Sequence, residues 1–241
     1  MEDNFQDISI SGAGKISGGH YKEVKISGAG TVSGDVECAS FSTSGASNVN
    51  GNVKTKTLDV SGATDIKGNV DAETIKVSGG SDIKGNVTTK TIKISGASKI
   101  RGALHAEEVN ISGSIEIKED CEAEIFKSKG AFDIGGLLNA GDIEICIYGR
   151  CRVREIGGEK IDIRKGSGNI FAKMIKYFFV HGEKLITSVI EGDDIYLEAT
   201  TAKIVRGNNV TIGPDCNIEL VEYRGKISVA EDSKVNEEKK I

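Results

Sequence analysis

Serine–glycine dipeptides recur in this chain at a constant interval. They stand at Ser27-Gly28, Ser44-Gly45, Ser61-Gly62, Ser78-Gly79, Ser95-Gly96 and Ser112-Gly113, each 17 residues from the last, with an earlier copy, Ser11-Gly12, 16 residues upstream. A second glycine follows six residues after each of the first six pairs, at Gly18, Gly34, Gly51, Gly68, Gly85 and Gly102. Apolar residues keep the same step. One column reads Ile8, Val24, Phe41, Leu58, Ile75, Ile92, Val109, Phe126, Ile143; a second reads Ile16, Val32, Val49, Ile66, Ile83, Ile100, Ile117, Ile134. A third runs from Val36 through Val53, Val70, Val87 and Leu104 to Cys121 and Leu138, and a fourth from Ile10 and Ile26 through Thr43 and Val60 to Ile111. Self-similarity at one fixed period means one structural unit, repeated.

Seventeen residues are too few for two helices and their turns, and the apolar spacings are not the three and four of a helix. The local period is two, as in Thr91-Ile92-Lys93-Ile94, with β-branched residues alternating with Lys or Thr. Gly or Asn then breaks each run, as a turn requires. The fold class predicted is all-β: a single-stranded parallel β-helix with ~17 residues per coil. Each column becomes an inward ladder with rungs about 4.8 Å apart. Asn52, Asn69 and Asn86 are expected to form an amide ladder at a corner, with Asp35 and Asp120 at its ends. The inward positions step unequally along the coil, which favours the right-handed form over a left-handed one with three equal sides.

The second half keeps the pattern more loosely. Inward-type pairs fall at Ile143/Ile145, Ile161/Ile163, Phe178/Val180, Ile195/Leu197, Val210/Ile212 and Ile227/Val229, in steps of 18, 17, 17, 15 and 17. The organisation expected is a short N-terminal tail at 1–7, a regular β-helix over 8–142, a less regular continuation over 143–230 and a charged, frayed tail at 231–241. Residues 174–180, MIKYFFV, read as a wider coil with bulky core residues, the alternative being an exposed partner surface.

Composition narrows the function. Aromatics are only 5% of the chain and Trp is absent, so sugar-stacking platforms are scarce. A net charge of −5 disfavours general affinity for nucleic acid or anionic lipid. No run approaches the roughly 18 apolar residues of a membrane span. The acidic N-terminus does not read as a secretory signal. The five cysteines form no CxxC pair, so reduced thiols are expected. His20, His105 and His181 are far apart along the chain. The run Glu191-Gly192-Asp193-Asp194 lacks the nonapeptide repeat of calcium β-rolls, and the glycine pairs carry no GK[ST]. The segment 210–216 is similar to one coil of a hexapeptide transferase, without a histidine nearby. No catalytic, cofactor-binding or metal-binding residue is therefore assigned, no small-molecule substrate or nucleic acid is expected as a partner, and the chain is not read as an enzyme. Outward Lys and Thr, as in Lys54-Thr55-Lys56-Thr57, read as a solvated face, the sharper option being a stripe that touches lipid or wall polymer.

The energetics direct attention to the ends. Ordering a coil costs about 1–2 kcal/mol per residue of backbone, while each buried aliphatic side chain returns about 1.5–3 kcal/mol. One coil alone cannot stand, so stability must come from stacking on neighbours. The terminal coils then present open strand edges, which pair with other chains unless blocked. The assembly residues expected are Ile8, Ile10 and Ile16 at the N-terminal end coil, and Ile227 and Val229 at the C-terminal one.

The recurrent K[IV]SG…[IV]xGNV, as in Ile75-Lys76-Val77-Ser78-Gly79 followed by Ile83-Lys84-Gly85-Asn86-Val87, resembles the bactofilins, polymer-forming bacterial cytoskeletal proteins. The resemblance covers residues 8–140, and 195–223 is similar to the ends of longer bactofilin-like proteins of Gram-positive bacteria. It implies a right-handed β-helix that assembles end to end, without nucleotide, into nonpolar filaments. It implies a cytoplasmic scaffold, often under the membrane, that organises cell shape, wall synthesis, division or motility machinery. Its implied partners are other copies of itself, a paralogous bactofilin, and peripheral membrane or cell-wall machinery. Two departures stand out: the Pro-rich tails of many bactofilins are missing, since the one proline is Pro214, and Met1-Glu2-Asp3-Asn4-Phe5 offers one aromatic among acids where a membrane peptide would be apolar. A β-helical adhesin or carbohydrate-binding surface protein is the alternative reading, because Ser-Gly repeats occur there too.

Overall fold

The structure, a computed structural model, describes residues 6–166 and 183–241. It is an all-β parallel solenoid, as the repeat requires, and it divides into two compact units, Met1–Glu119 and Asp120–Ile241.

The first unit contains β1 (Asp7–Ile10), β2 (Ala13–Ile26), β3 (Ala29–Thr43), β4 (Ala46–Val49), β5 (Val53–Val60), β6 (Ala63–Ile66), β7 (Val70–Val77), β8 (Gly80–Ile83), β9 (Val87–Ile94), β10 (Ala97–Ile100), β11 (Leu104–Ile111) and β12 (Ser114–Ile117). From β4 onward each coil is one four-residue strand and one eight-residue strand. The eight-residue strand buries its first, third, sixth and eighth residues, as Val53, Thr55, Leu58 and Val60 do in β5. Alternation slips by one at Lys56 and Thr57, so the chain turns a corner inside a continuous strand. The four-residue strand buries its second and fourth residues, as Thr64 and Ile66 do in β6. A coil therefore has six inward positions, four of them visible as apolar columns. The other two hold small or hydroxylic residues: Ser47, Thr64, Ser81 and Ser98 in one, Cys38, Thr55, Ala72 and Thr89 in the other.

Strands stack residue on residue: Val53 pairs with Val70, Val70 with Val87, and Val87 with Leu104. Even the Ser-Gly turns bond to the coil below, Ser78 N–H to Val60 O at 2.8 Å and Ser95 N–H to Val77 O at 2.8 Å. Their glycines are demanded by this close approach, because a Cβ on Gly79 would sit 2.0 Å from Gly62 O. The 16-residue first step has a local cause. Ser17 pairs with Ser33 but Gly19 with Val36, and the extra residue of the second coil is taken up where Gly34 adopts φ +112°.

The corner glycine and asparagine act together. Asp35 Oδ1 accepts from Asn52 N–H at 2.7 Å, Asn52 Oδ1 from Asn69 N–H at 2.8 Å, Asn69 Oδ1 from Asn86 N–H at 2.9 Å, and Asn86 Oδ1 from Ala103 N–H at 3.0 Å. The ladder is thus side chain to backbone. A Cβ would lie 2.5 Å from Asn52 Oδ1 on Gly68 and 2.3 Å from Asn69 Oδ1 on Gly85, so these two glycines make room for the asparagine below. Asp35 begins this ladder as expected, but Ala103 closes it. Asp120 lies in the second unit and accepts from Leu137 N–H at 2.7 Å.

The second unit contains β13 (Cys121–Ser128), β14 (Ala131–Ile147), β15 (Cys151–Lys165), β16 (Leu185–Ile186), β17 (Val189–Leu197), β18 (Thr200–Ile212), β19 (Asn217–Val229) and β20 (Lys234–Lys240). Its core uses larger residues, including an edge-to-face pair of Phe126 and Phe132 with ring centres 5.6 Å apart. The expected ladder pairs hold with one correction. Ile161 and Ile163 pair directly with Ile195 and Leu197, so the ladder passes in one step of 34 residues where two steps of 17 were expected. Phe178, Val180 and the 174–180 stretch lie outside the described residues. The end of the chain also differs from expectation. Residues 234–240, expected to fray, form β20, paired in register with β19 from Asn217↔Lys234 to Tyr223↔Lys240. Backbone pairing, indifferent to side-chain polarity, holds a strand that has almost no apolar side chains.

Candidate functional site: the terminal coils

Inward residues are sealed by the coil above and the coil below. At a terminal coil one of those neighbours is missing, and burial records it. Ile8 is half-buried where Val24, its partner in the next coil, is fully buried; Ile16 is half-buried over a fully buried Val32. Ile10 is 7% exposed, above a fully buried Ile26. At the other end Ile227 and Val229 are half-buried, whereas Val210 and Ile212 beneath them are 1% exposed. The five residues assigned from sequence thus occupy the inward positions of the first described coil and the last one.

The two ends differ in chemistry. The N-terminal edge is β1, Asp-Ile-Ser-Ile, followed by Ala13 to Ser17 of β2. At the C-terminal end β20 covers only one part of β19. Its side chains, K-V-N-E-E-K-K, are charged, as on edge strands that resist indiscriminate pairing. Residues 226–229, Lys-Ile-Ser-Val, have no strand on their outer side among the described residues, and Ile241 is 55% exposed. The turn before β20 is anchored by Ser233, whose hydroxyl accepts from Cys216 N–H at 2.9 Å and donates to Gly213 O at 2.6 Å. Arg206 donates to Glu222 at 2.6 Å and Lys239 reaches it at 3.5 Å, and these cations hold the Glu222 carboxyl below its ordinary range.

The remaining chemistry-bearing groups do not converge. His20 and His105 share one outward column, through Glu37, Lys54, Asp71 and Thr88, and so stand five rungs apart, about 24 Å at the usual strand spacing. His181 lies outside the described residues. The five cysteines are free, and burial pushes the Cys121 and Cys151 thiols up to about 12, far from thiolate chemistry. No cluster of three metal-ligating side chains occurs among the described residues. An open groove of about 970 Å³ runs along the first unit, with Lys54, Lys56, Asp71 and Glu73 among its lining residues. No helix among the described residues is long and apolar enough to cross a membrane.

Two uncharacterized proteins of Bacillus subtilis (strain 168) are similar to this chain. YhbF is 38% identical over 107 residues, which are 44% of this chain and 42% of YhbF. YhbE is 44% identical over 95 residues, 38% of either chain. The chain therefore spans about two fifths of the curated relatives it matches. No solved structure matches it. The bactofilin family model, described as polymer-forming cytoskeletal, matches residues 4–88, which hold β1 and the coils of the Ser-Gly and GNV repeat. Residues 4–88 are thus similar to the bactofilins, a family described as polymer-forming and cytoskeletal.

Proposed function

We propose that this protein is a non-enzymatic structural polymer that assembles through its terminal coils, without nucleotide, into filaments or scaffolds in the cytoplasm. One observation carries the reading: among the described residues, Ile8, Ile16, Ile227 and Val229 are half-buried while their ladder partners Val24, Val32, Val210 and Ile212 are buried. A neighbouring chain that continued the stack would remove this apolar surface from water and satisfy the open strand edges. The polymer-forming description of the family that matches residues 4–88 supports it. Such a scaffold would organise cell shape, wall synthesis or motility machinery, with further copies or a paralogous bactofilin as its partners and with peripheral contact to membrane or wall machinery.

The test is negative-stain microscopy of the purified chain without nucleotide, beside Ile10→Arg and Val229→Arg. Thin fibres of uniform width are expected from the parent and none from either variant. Filaments unchanged in both variants would refute the end-contact reading. A sharp monomer at high concentration would instead favour a surface-binding module.

A further inference from the structure

The chain contains one Asn-Gly dipeptide, Asn50-Gly51, at the corner between β4 and β5. The coils that follow place Lys67-Gly68, Lys84-Gly85 and Arg101-Gly102 at the same corner. In those coils the glycine amide is tied down: Gly68 N–H donates to Gly51 O at 3.1 Å, Gly85 N–H to Gly68 O at 3.2 Å and Gly102 N–H to Gly85 O at 3.3 Å. Gly51 is the exception. Its counterpart in the coil below is Gly34, the only one of these stacked glycines with a positive φ, +112°. Asn50 N–H still reaches Val32 O at 2.9 Å, and Asn52 N–H reaches Asp35 Oδ1 at 2.7 Å. Between them, among the described residues, no acceptor takes the Gly51 N–H. The Asn50 side chain is exposed.

We propose that Asn50 is a site of spontaneous covalent modification: deamidation through a cyclic imide, which leaves an aspartyl or isoaspartyl residue at this corner. The Gly51 backbone nitrogen attacks Asn50 Cγ. The new N–Cγ bond closes the imide as the Cγ–Nδ2 bond breaks, and the displaced amide nitrogen leaves as ammonia, carrying the proton that the Gly51 nitrogen gives up. Water then adds to one of the two ring carbonyls, and opening of the ring gives aspartate or isoaspartate. No oxidant or reductant takes part. Glycine suits the attack because it has no Cβ to crowd its nitrogen. An N–H already held in a hydrogen bond must first be released, so the same dipeptide one coil further on would be protected. The product also disturbs its surroundings. It puts a carboxylate two residues from Asn52, whose N–H and side-chain amide both bond Asp35. Isoaspartate further lengthens the main chain between β4 and β5, whose registers are both fixed by the coils that follow. The site depends on this one corner and stands whether or not the chain polymerises.

Ageing the purified full chain in neutral to mildly alkaline buffer, with peptide mapping by mass spectrometry, tests the site. Conversion of amide to acid is expected at Asn50 ahead of Asn48, Asn52 and Asn69. The decisive comparison is Lys67→Asn, which builds a second Asn-Gly at an exposed position of the next coil, where the glycine N–H is bonded. In the folded variant the new site is expected to convert at least about tenfold more slowly than Asn50, and in denaturant the two sites should convert at similar rates. Arg101→Asn repeats the comparison at another bonded glycine, so the test does not hang on the folding of one variant. Asn50→Lys, which carries the residue of the next two coils, is expected to age without this change and to keep the denaturation midpoint that the aged parent loses. Equal rates at Asn50 and at the introduced sites in the folded chains, or conversion at Asn50 no faster than at Asn52 and Asn69, would overturn the proposal.

Discussion

Thr43 stands in an apolar ladder between Ile26 and Val60, only 3% exposed, and its hydroxyl has no hydrogen-bond partner. An unsatisfied buried hydroxyl costs about 1–3 kcal/mol, so Thr43→Val should stabilise the protein by about 1–2 kcal/mol, seen as a higher denaturation midpoint. The neighbouring glycines of one turn are expected to answer oppositely to the same change. A Cβ on Gly79 meets Gly62 O at 2.0 Å, which only a backbone shift relieves, so Gly79→Ala should destabilise by at least about 2 kcal/mol. Gly80 has nothing within 4 Å of that position, and its column carries Ala46, Ala63 and Ala97, so Gly80→Ala should be neutral or stabilising by up to about 1 kcal/mol in the same melts. At this scale the large ladder residues were legible, because Ile and Val at a constant step have no other explanation. The Ser47 and Cys38 columns were not, because small and hydroxylic residues look alike whether they face in or out.

At the level of the strand, the corner ladder joins sequence to electrostatics. The Asp35 carboxylate accepts the backbone N–H of Asn52 and then its side-chain amide, and these bonds hold its pKa below the ordinary value. A lowered folded pKa means a contribution that is fully present above the unfolded carboxylate range and lost as the pH falls through the folded value. Asp35→Asn keeps an acceptor but removes the titration. Comparing the acid limbs of the two unfolding profiles should show the parent losing stability relative to Asp35→Asn as acid is added; parallel limbs would mean that Asp35 does not report the ladder. The GNV motif was legible as a corner, but its mechanism was not. That the asparagine oxygen receives the next backbone N–H, and that the glycine clears space for it, depends on how one coil sits over another. β20 was misjudged for a related reason. Its side chains suggest a solvated tail, whereas its pairing is made by backbone groups on which side-chain composition has little bearing.

For the molecule as a whole, repeat stability is a sum over neighbours, so a terminal coil contributes one interface and an internal coil two. Arginine at Ile10 or Val229 should therefore affect assembly much more than folding: filaments lost, with the strand signal in circular dichroism retained. Loss of that signal together with the filaments would mean that the end coils are needed for the fold itself.

The 17-residue step and its β-branched columns were enough to determine a stacked parallel β-solenoid, since no other regular structure buries one aliphatic column per side at that period. The tertiary structure alone decided that Ile161 stacks on Ile195, that six positions face inward rather than four, and that a charged segment completes the last coil. Each of those outcomes turns on contacts between residues distant in sequence and on backbone hydrogen bonds, and neither leaves a side-chain signature in the order of the amino acids.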